Sequence, residues 1–234
     1  MSVAALPMPY IRRNIDRVSP EVVKKAASFA ASILADVAGR RGTMSGRIAA
    51  LSPSMKVAGP ALTVEVRPGD NLMLHAALAI AAQPGDVIVV DGKGDRTCAL
   101  TGAIMMTQAQ AMGIAGFIVD AAVRDVEEIR QLAFPVFSVG ANPNGPTKAV
   151  PGRVNWPVSV GGVAVNPGDL IVGDADGVVV IERQRAESLL ELAAQKVAAE
   201  AKRFEGIRQR KQMRPAWLED ALRAAGVLQK GETL

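Results

Sequence analysis

Two runs rich in β-branched residues, Val87-Ile88-Val89-Val90 and Gly116-Phe117-Ile118-Val119, flank a stretch of helical composition from Ala103 to Met112 that stops at Gly113. Strand, helix and strand in that order form a βαβ unit, which requires parallel strands and a right-handed crossover. The first run has no polar member, as a strand covered on both faces requires. Apolar residues reach 49% but aromatics only 3%, so Val, Ile, Leu, Ala and Met must build the core. The expectation is one α/β domain, a sheet covered by Ala-rich helices. Its segments are residues 1–50 as an N-terminal helical part, 51–183 as the core, and 184–234 as a C-terminal helix and tail.

Elsewhere turn and cap signals set the punctuation. Ser19-Pro20-Glu21 opens a helix with Ser19 as N-cap, running on through Val22, Ala26, Phe29 and Ile33. A Gly- and Arg-rich loop covers 39–47, and Val57 to Val66 reads as a strand or a hairpin around Gly59-Pro60. Pro68-Gly69-Asp70 turns into a helix from Asn71 to Ala82, and Pro-Gly-Asp recurs at 84–86 and 167–169 ahead of apolar runs. After Pro135 come short strands: Val136 to Val139, Val154 to Val160, Val163 to Val165, Leu170 to Val172 and Val178 to Ile181. They predict a compact antiparallel or mixed sheet. A long helix follows from Gln184 to about Arg210.

Composition also removes several kinds of chemistry. Cys98 is the only cysteine and His75 the only histidine, so zinc sites built from Cys and His clusters are excluded. A metal held by oxygen ligands would be magnesium, manganese or calcium. Cys98 has no histidine nearby in sequence and reads as a small apolar residue, while His75, three residues after Leu72, reads as structural ahead of catalytic. Six residues separate Gly85 from Gly92-Lys93, where a phosphate loop needs four, and no third Gly completes a dinucleotide fingerprint.

Residues 200–214 hold six basic side chains against Glu200 and Glu205, an excess equal to the whole net charge of +4. Without interleaved aromatics this reads as a solvated helix face, or a face against another subunit, and no nucleic-acid partner is expected. Arg12, Arg13 and Arg17 follow a short mixed segment rather than precede an apolar one, and no run approaches a membrane span. The expectation is a cytoplasmic protein without a membrane partner.

Ligands of open parallel sheets bind beyond the carboxyl ends of the strands. Those ends carry Asp91-Gly92-Lys93-Gly94-Asp95 and Asp120 to Asp125, two polar loops expected to face one cleft. Arg124 offers a cation for a developing oxyanion, and Asp125 a carboxylate for a divalent ion. Asp125 has a rival reading: Asp125-Val126-Glu127-Glu128 fits a capping box opening a helix from Val126 to Leu132, and residue chemistry alone leans towards the cap. Gly102-Ala103-Ile104-Met105 would present backbone N–H groups at a helix N-terminus, a site for a substrate carboxylate. Guanidinium, carboxylate and helix terminus together suit a 2-oxo acid.

At these residues the chain resembles the family of the regulator of ribonuclease activity A and the class II 4-hydroxy-4-methyl-2-oxoglutarate/4-carboxy-4-hydroxy-2-oxoadipate aldolases. The matching motifs lie within about residues 55–195: Pro68-Gly69-Asp70-Asn71-Leu72 with His75, Pro84-Gly85-Asp86-Val87, Val119-Asp120 with Val123-Arg124-Asp125, Phe134-Pro135-Val136-Phe137, and Val165-Asn166-Pro167-Gly168-Asp169 through Asp174-Ala175-Asp176-Gly177-Val178. The resemblance implies a β/β/α swivelling-type domain assembled as a homotrimer or a dimer of trimers, with the site between subunits. It implies Mg2+ or Mn2+ held by Asp125, mostly through waters, a substrate carbonyl oxygen on Arg124, and a carboxylate on the backbone of Gly102 to Met105. Glu200 is the candidate for a carboxylate that a neighbouring C-terminal helix brings to the metal waters. The implied reaction is cleavage of a 4-hydroxy-2-oxo acid to pyruvate and a carbonyl compound, with oxaloacetate decarboxylation as a candidate second activity. A non-catalytic regulator that binds a ribonuclease, and a same-fold enzyme for a different 2-oxo acid, are the alternatives. The chain departs from the family pattern at Ala103, where an acidic residue is common, at Ala121, where many relatives have Gly, and in the tail after Arg203.

Overall fold

The computed structural model describes residues 10–229 and 231–234; most of the short mixed segment ahead of Arg12, residues 1–9, lies outside the described residues. The elements in chain order are α1 (Pro20–Ala26), α2 (Ala31–Val37), β1 (Ala49–Ala50), β2 (Val57–Glu65), α3 (Leu72–Ile80), β3 (Val87–Ala99), α4 (Ala103–Ala111), β4 (Gly116–Val123) and α5 (Val126–Leu132). Then follow β5 (Val136–Ala141), β6 (Arg153–Val154), β7 (Val158–Val160), β8 (Val163–Val165), β9 (Leu170–Asp174), β10 (Gly177–Ile181), a 3-10 turn, α6 (Ala186–Arg208) and α7 (Leu218–Ala224). Two compact units result, one ending at Ala193 and one spanning Ala194–Leu234.

The first unit is a mixed α/β fold. Its main sheet runs β1-β5-β4-β3-β2-β9-β10, with β6 also on β2, and β7 pairs with β8 as a separate hairpin. Strands β2, β3, β4 and β5 run parallel to one another, as the βαβ pattern requires. Alternation along β4 sorts its two faces. Phe117, Val119, Ala121 and Val123 join the core that also holds Leu74 of α3, Met106 of α4 and Ile129 of α5, whereas Ile118 joins Met44, Ile48, Val160 and Val165 on the other side. Helices thus cover one face and the small hairpin the other. A third core gathers Val22, Leu34 and Leu190 against Leu170 and Val172 of β9.

Several expectations need correction. The helix opened by Ser19 stops at Ala26, and a second starts at Ala31 because the Asp174 carboxylate accepts its N–H at 2.8 Å; Ser19 does cap α1 through Val22. Of the two forms expected over Val57 to Val66, the strand is the one that forms: Val57–Glu65 pairs antiparallel with β9 as far as Pro60 and parallel with β3 from Ala61. Gly59 allows this passage, since a Cβ there would stand 2.3 Å from the Gly85 carbonyl oxygen. Asp91 to Asp95 lies inside β3, which continues irregularly to Ala99 instead of ending in a loop. Val154 to Val160 is interrupted by Asn155, whose positive φ of 59° separates β6 from β7. Apart from the β7–β8 hairpin, the later strands join the main sheet: β5 extends the parallel array, and β9 with β10 extends it from the other side.

Candidate active site

β3 ends at Ala99, and the chain turns through Leu100, Thr101 and Gly102 into α4. β4 ends beside it at Val123 and delivers Arg124 and Asp125, with Arg124 N–H donating to the Thr101 carbonyl at 3.0 Å. Asp125 takes a left-handed backbone, φ 57° and ψ 42°, instead of the extended one usual for an N-cap, and its side chain makes no bond to its own helix α5. The capping box is therefore corrected. The carboxylate turns to the neighbouring helix, where Oδ2 accepts the Ala103 N–H at 3.0 Å and so caps α4.

Gly102 makes this possible. A Cβ on it would stand 2.3 Å from Asp125 Oδ2 and 2.9 Å from Arg124 Cγ. Arg124 Nε lies 3.7 Å from the same carboxylate oxygen, and the two side chains are 42% and 37% exposed, open to a ligand. Ile104 and Met105 follow Ala103 in the first turn of α4, where N–H groups have no intrahelical acceptor.

These groups line a cavity of about 210 Å³. Arg124, Asp125, Gly102, Ile104 and Met105 border it, joined by Asn71 and His75 from α3 and its cap, and by Pro146 and Lys148 from a loop. Asp91 to Asp95 are absent from this lining, a further correction: Asp91 is buried with Lys93 at 2.5 Å, and the turn at 100–102 fills the place predicted for that loop. Asp120, also predicted at the cleft, sits on the opposite face of β4 with Arg47 at 2.6 Å. Glu200 belongs to the second unit, on α6, with Lys196 3.2 Å away.

Asn71, Thr101 and Lys148 are among the pocket residues that sequence reasoning did not single out for roles. The Asn71 side-chain amide donates to the Leu100 carbonyl at 2.8 Å, tying α3 to the turn. Its Oδ1, like Thr101 Oγ1, is buried without a hydrogen-bond partner among the described residues. Such atoms each cost about 1–3 kcal/mol and mark places where a ligand restores the pairing. Burial, and then the charge of Lys148, push the His75 imidazole below its usual pKa of 6.5, so the ring is neutral at pH 7. Cys98 is buried, and burial followed by the Asp95 charge pushes its thiol up, which leaves no nucleophile there.

Asp70 anchors the wall that carries Lys148. Burial raises its pKa, but N–H donors from Ala149, Leu72 and Val150 and the Thr147 hydroxyl outweigh that, and the carboxyl falls from 3.8 to about 2. A pKa lowered on folding adds stability that is complete above the ordinary value and is lost as pH falls through about 2. Thermal melts taken downward from about pH 5 should lose stability over that window, and Asp70→Asn should flatten this loss. An unchanged profile in the variant would refute the assignment.

Among the described residues no three His, Cys, Asp or Glu side chains gather around one point. The donor set fits a hydrated ion of the magnesium type, which keeps several waters and needs only one or two carboxylates. Asp125 is the carboxylate that could hold one: Oδ2 is engaged by α4, and Oδ1 has no partner among the described residues. No described helix is long and apolar enough to cross a membrane.

The chain is 44% identical over 164 residues, 70% of this chain and 78% of the relative, to a protein of Halalkalibacterium halodurans provisionally named a 4-hydroxy-4-methyl-2-oxoglutarate aldolase. A similarly named Arabidopsis thaliana protein is 34% identical over 58% of this chain and 84% of its own. Among solved structures, Streptomyces coelicolor RraAS2, described as an unusual member of the RNase ES inhibitor RraA protein family, superposes with a TM-score of 0.71 at 29% identity, covering 84% of this chain and 99% of that one. A family model described as RraA-like, Aldolase/RraA, matches residues 21–180. With that span covering more than half of its length, the chain belongs to the RraA-like family.

Proposed function

We propose that the protein is a divalent-metal-dependent aldolase that cleaves a 4-hydroxy-2-oxo acid to pyruvate and a second carbonyl compound. The observation that carries this reading is the meeting of Arg124, Asp125 and the α4 N-terminus in one pocket. The N–H groups of Ile104 and Met105 and the positive end of the α4 dipole hold the substrate carboxylate. Arg124 faces the 2-oxo oxygen. When the bond between C3 and C4 breaks, the C4 hydroxyl gives its proton to solvent, from which C3 is later protonated, and becomes a carbonyl, and the electron pair moves through C3 onto the 2-oxo oxygen. A guanidinium already in place stabilises that enolate without reorganising. Protonation at C3 then gives pyruvate. Mg2+ or Mn2+, held by Asp125 with Glu200 of a neighbouring copy near its waters, would add Lewis-acid polarisation of the same oxygen. A homotrimer or a dimer of trimers is part of this proposal. Oxaloacetate decarboxylation uses the same enolate and is included as a second activity.

Pyruvate release from several 4-hydroxy-2-oxo acids and oxaloacetate, with magnesium, manganese or chelator, tests the reading. Release should require the metal, and Asp125→Asn should lower it at least about a hundredfold. The likeness to RraAS2 favours a second reading, a non-catalytic protein that binds a ribonuclease. Absence of metal-dependent release with every acid would favour that one.

A further inference from the structure

The loop from Asn142 to Val150 brings Pro146 and Lys148 to the pocket; Asn142 and Asn144 tie its first half to β4 and β3, and one carboxylate, Asp70, holds its second half. Asp70, 2% exposed, accepts at Oδ2 from the Thr147 hydroxyl at 2.7 Å, Ala149 N–H at 2.7 Å and Val150 N–H at 3.2 Å, and at Oδ1 from Leu72 N–H at 3.0 Å. Backbone bonds run alongside: Thr147 N–H to the Gly69 carbonyl at 2.8 Å and Asn71 N–H to the Thr147 carbonyl at 3.0 Å. Both chain neighbours of Lys148 are therefore fixed to the start of α3. That is an unusual outlay for a surface lysine, whose flexible stem ordinarily leaves its charge unplaced.

The pocket's charges do not balance. Arg124 and Lys148 face it against the one carboxylate of Asp125, and none of the ion pairs among the described residues uses Lys148. In the reading above, the α4 N-terminus and Arg124 already serve the 2-oxo acid end of a substrate. Lys148 is left over. Its neighbours His75, Ile104 and Pro146 carry no charge at neutral pH that could answer it.

We propose that Asp70 is a positioning residue that pins this loop so that Lys148 stands in the pocket as a fixed cation, selecting substrates with a second anionic group beyond the cleaved bond. The inference rests on the aldolase reading and adds how this chain chooses its acid. Preorganisation is the physical point: a lysine whose backbone is already immobile loses less freedom on binding an anion.

Two acids that differ in the distal group provide the test, 4-hydroxy-2-oxoglutarate with a distal carboxylate and 4-hydroxy-2-oxopentanoate with a methyl. Pyruvate release is measured for the wild type, Lys148→Met, Asp70→Asn and the double variant, with folding followed by circular dichroism. Each single variant should raise KM for the dicarboxylate about tenfold, the scale of one charge-assisted hydrogen bond, with kcat and both constants for the methyl acid within about twofold. The double variant should be no worse than either single one, because both remove the same contact. Equal losses on both acids in folded protein, or losses that multiply in the double variant, would overturn the proposal. Should Asp70→Asn not fold, Thr147→Val removes one of its four donors and should raise the same KM by a smaller factor; no selective change there is equally fatal. Release from neither acid by the wild type would bring down the aldolase reading together with this one, whereas unselective variants leave the aldolase reading standing.

Discussion

Arg124→Ala should remove pyruvate release, by at least about two to three orders of magnitude in kcat, while leaving the fold intact. The size follows from the task assigned to the guanidinium, which is the only protein cation placed beside the enolate oxygen in the proposed mechanism. Stability should hold because the side chain is 42% exposed and its only ion-pair contact among the described residues is a 3.7 Å approach to Asp125. The backbone N–H of residue 124, which does tie the turn together through Thr101, is unaffected by the change. Lysine at this position should restore little, since an ammonium lacks the planar fork. Wild-type rates in a folded Arg124→Ala protein would refute the mechanism.

Gly102→Ala should be nearly as damaging, for a reason that involves no chemical group. The Gly102 backbone is extended, φ −158° and ψ −169°, so alanine meets no conformational penalty there. The harm comes from space alone. The added methyl would stand 2.3 Å from Asp125 Oδ2, and the carboxylate or α4 must move. Movement of that size at a reacting centre costs about a hundredfold in rate. Divalent-ion affinity measured by calorimetry should fall with it, because Asp125 can no longer hold its position. A variant with normal metal binding and normal release would show that the contact between Gly102 and Asp125 has no role.

The central part of the fold was legible because its signals are local. Val87 to Val90, Ala103 to Met112 and Gly116 to Val119 each declare their type by composition, and their order leaves one parallel arrangement. The N-cap at Ser19 was equally readable. What failed depended on distant partners. Nothing near Phe29 announces that Asp174 will cap a second helix at Ala31, and nothing near Val126 announces that Asp125 will turn away from its own helix. The capping pattern was present, but a competing acceptor, the N-terminus of α4, took the side chain.

The site was legible by halves for the same reason. Arg124, Asp125 and the turn at Gly102 sit at strand and helix ends, where topology alone predicts ligands. Lys148 lies in a loop without periodicity, and its anchor is 78 residues upstream. Only the folded chain connects them.

The anchoring of that loop by Asp70 separates two duties that many enzymes intermix. Bond breaking is assigned to β4 and α4, joined through Asp125, while the wall carrying Lys148 hangs from α3 by another carboxylate altogether. Substitutions at Lys148 can therefore alter which acid enters without touching the groups that act on it, whereas Asn142 and Gly145, earlier in the same loop, lie against Val123 and Arg124. A chain built this way can acquire a new substrate through one side chain of that wall, with the chemistry inherited unchanged.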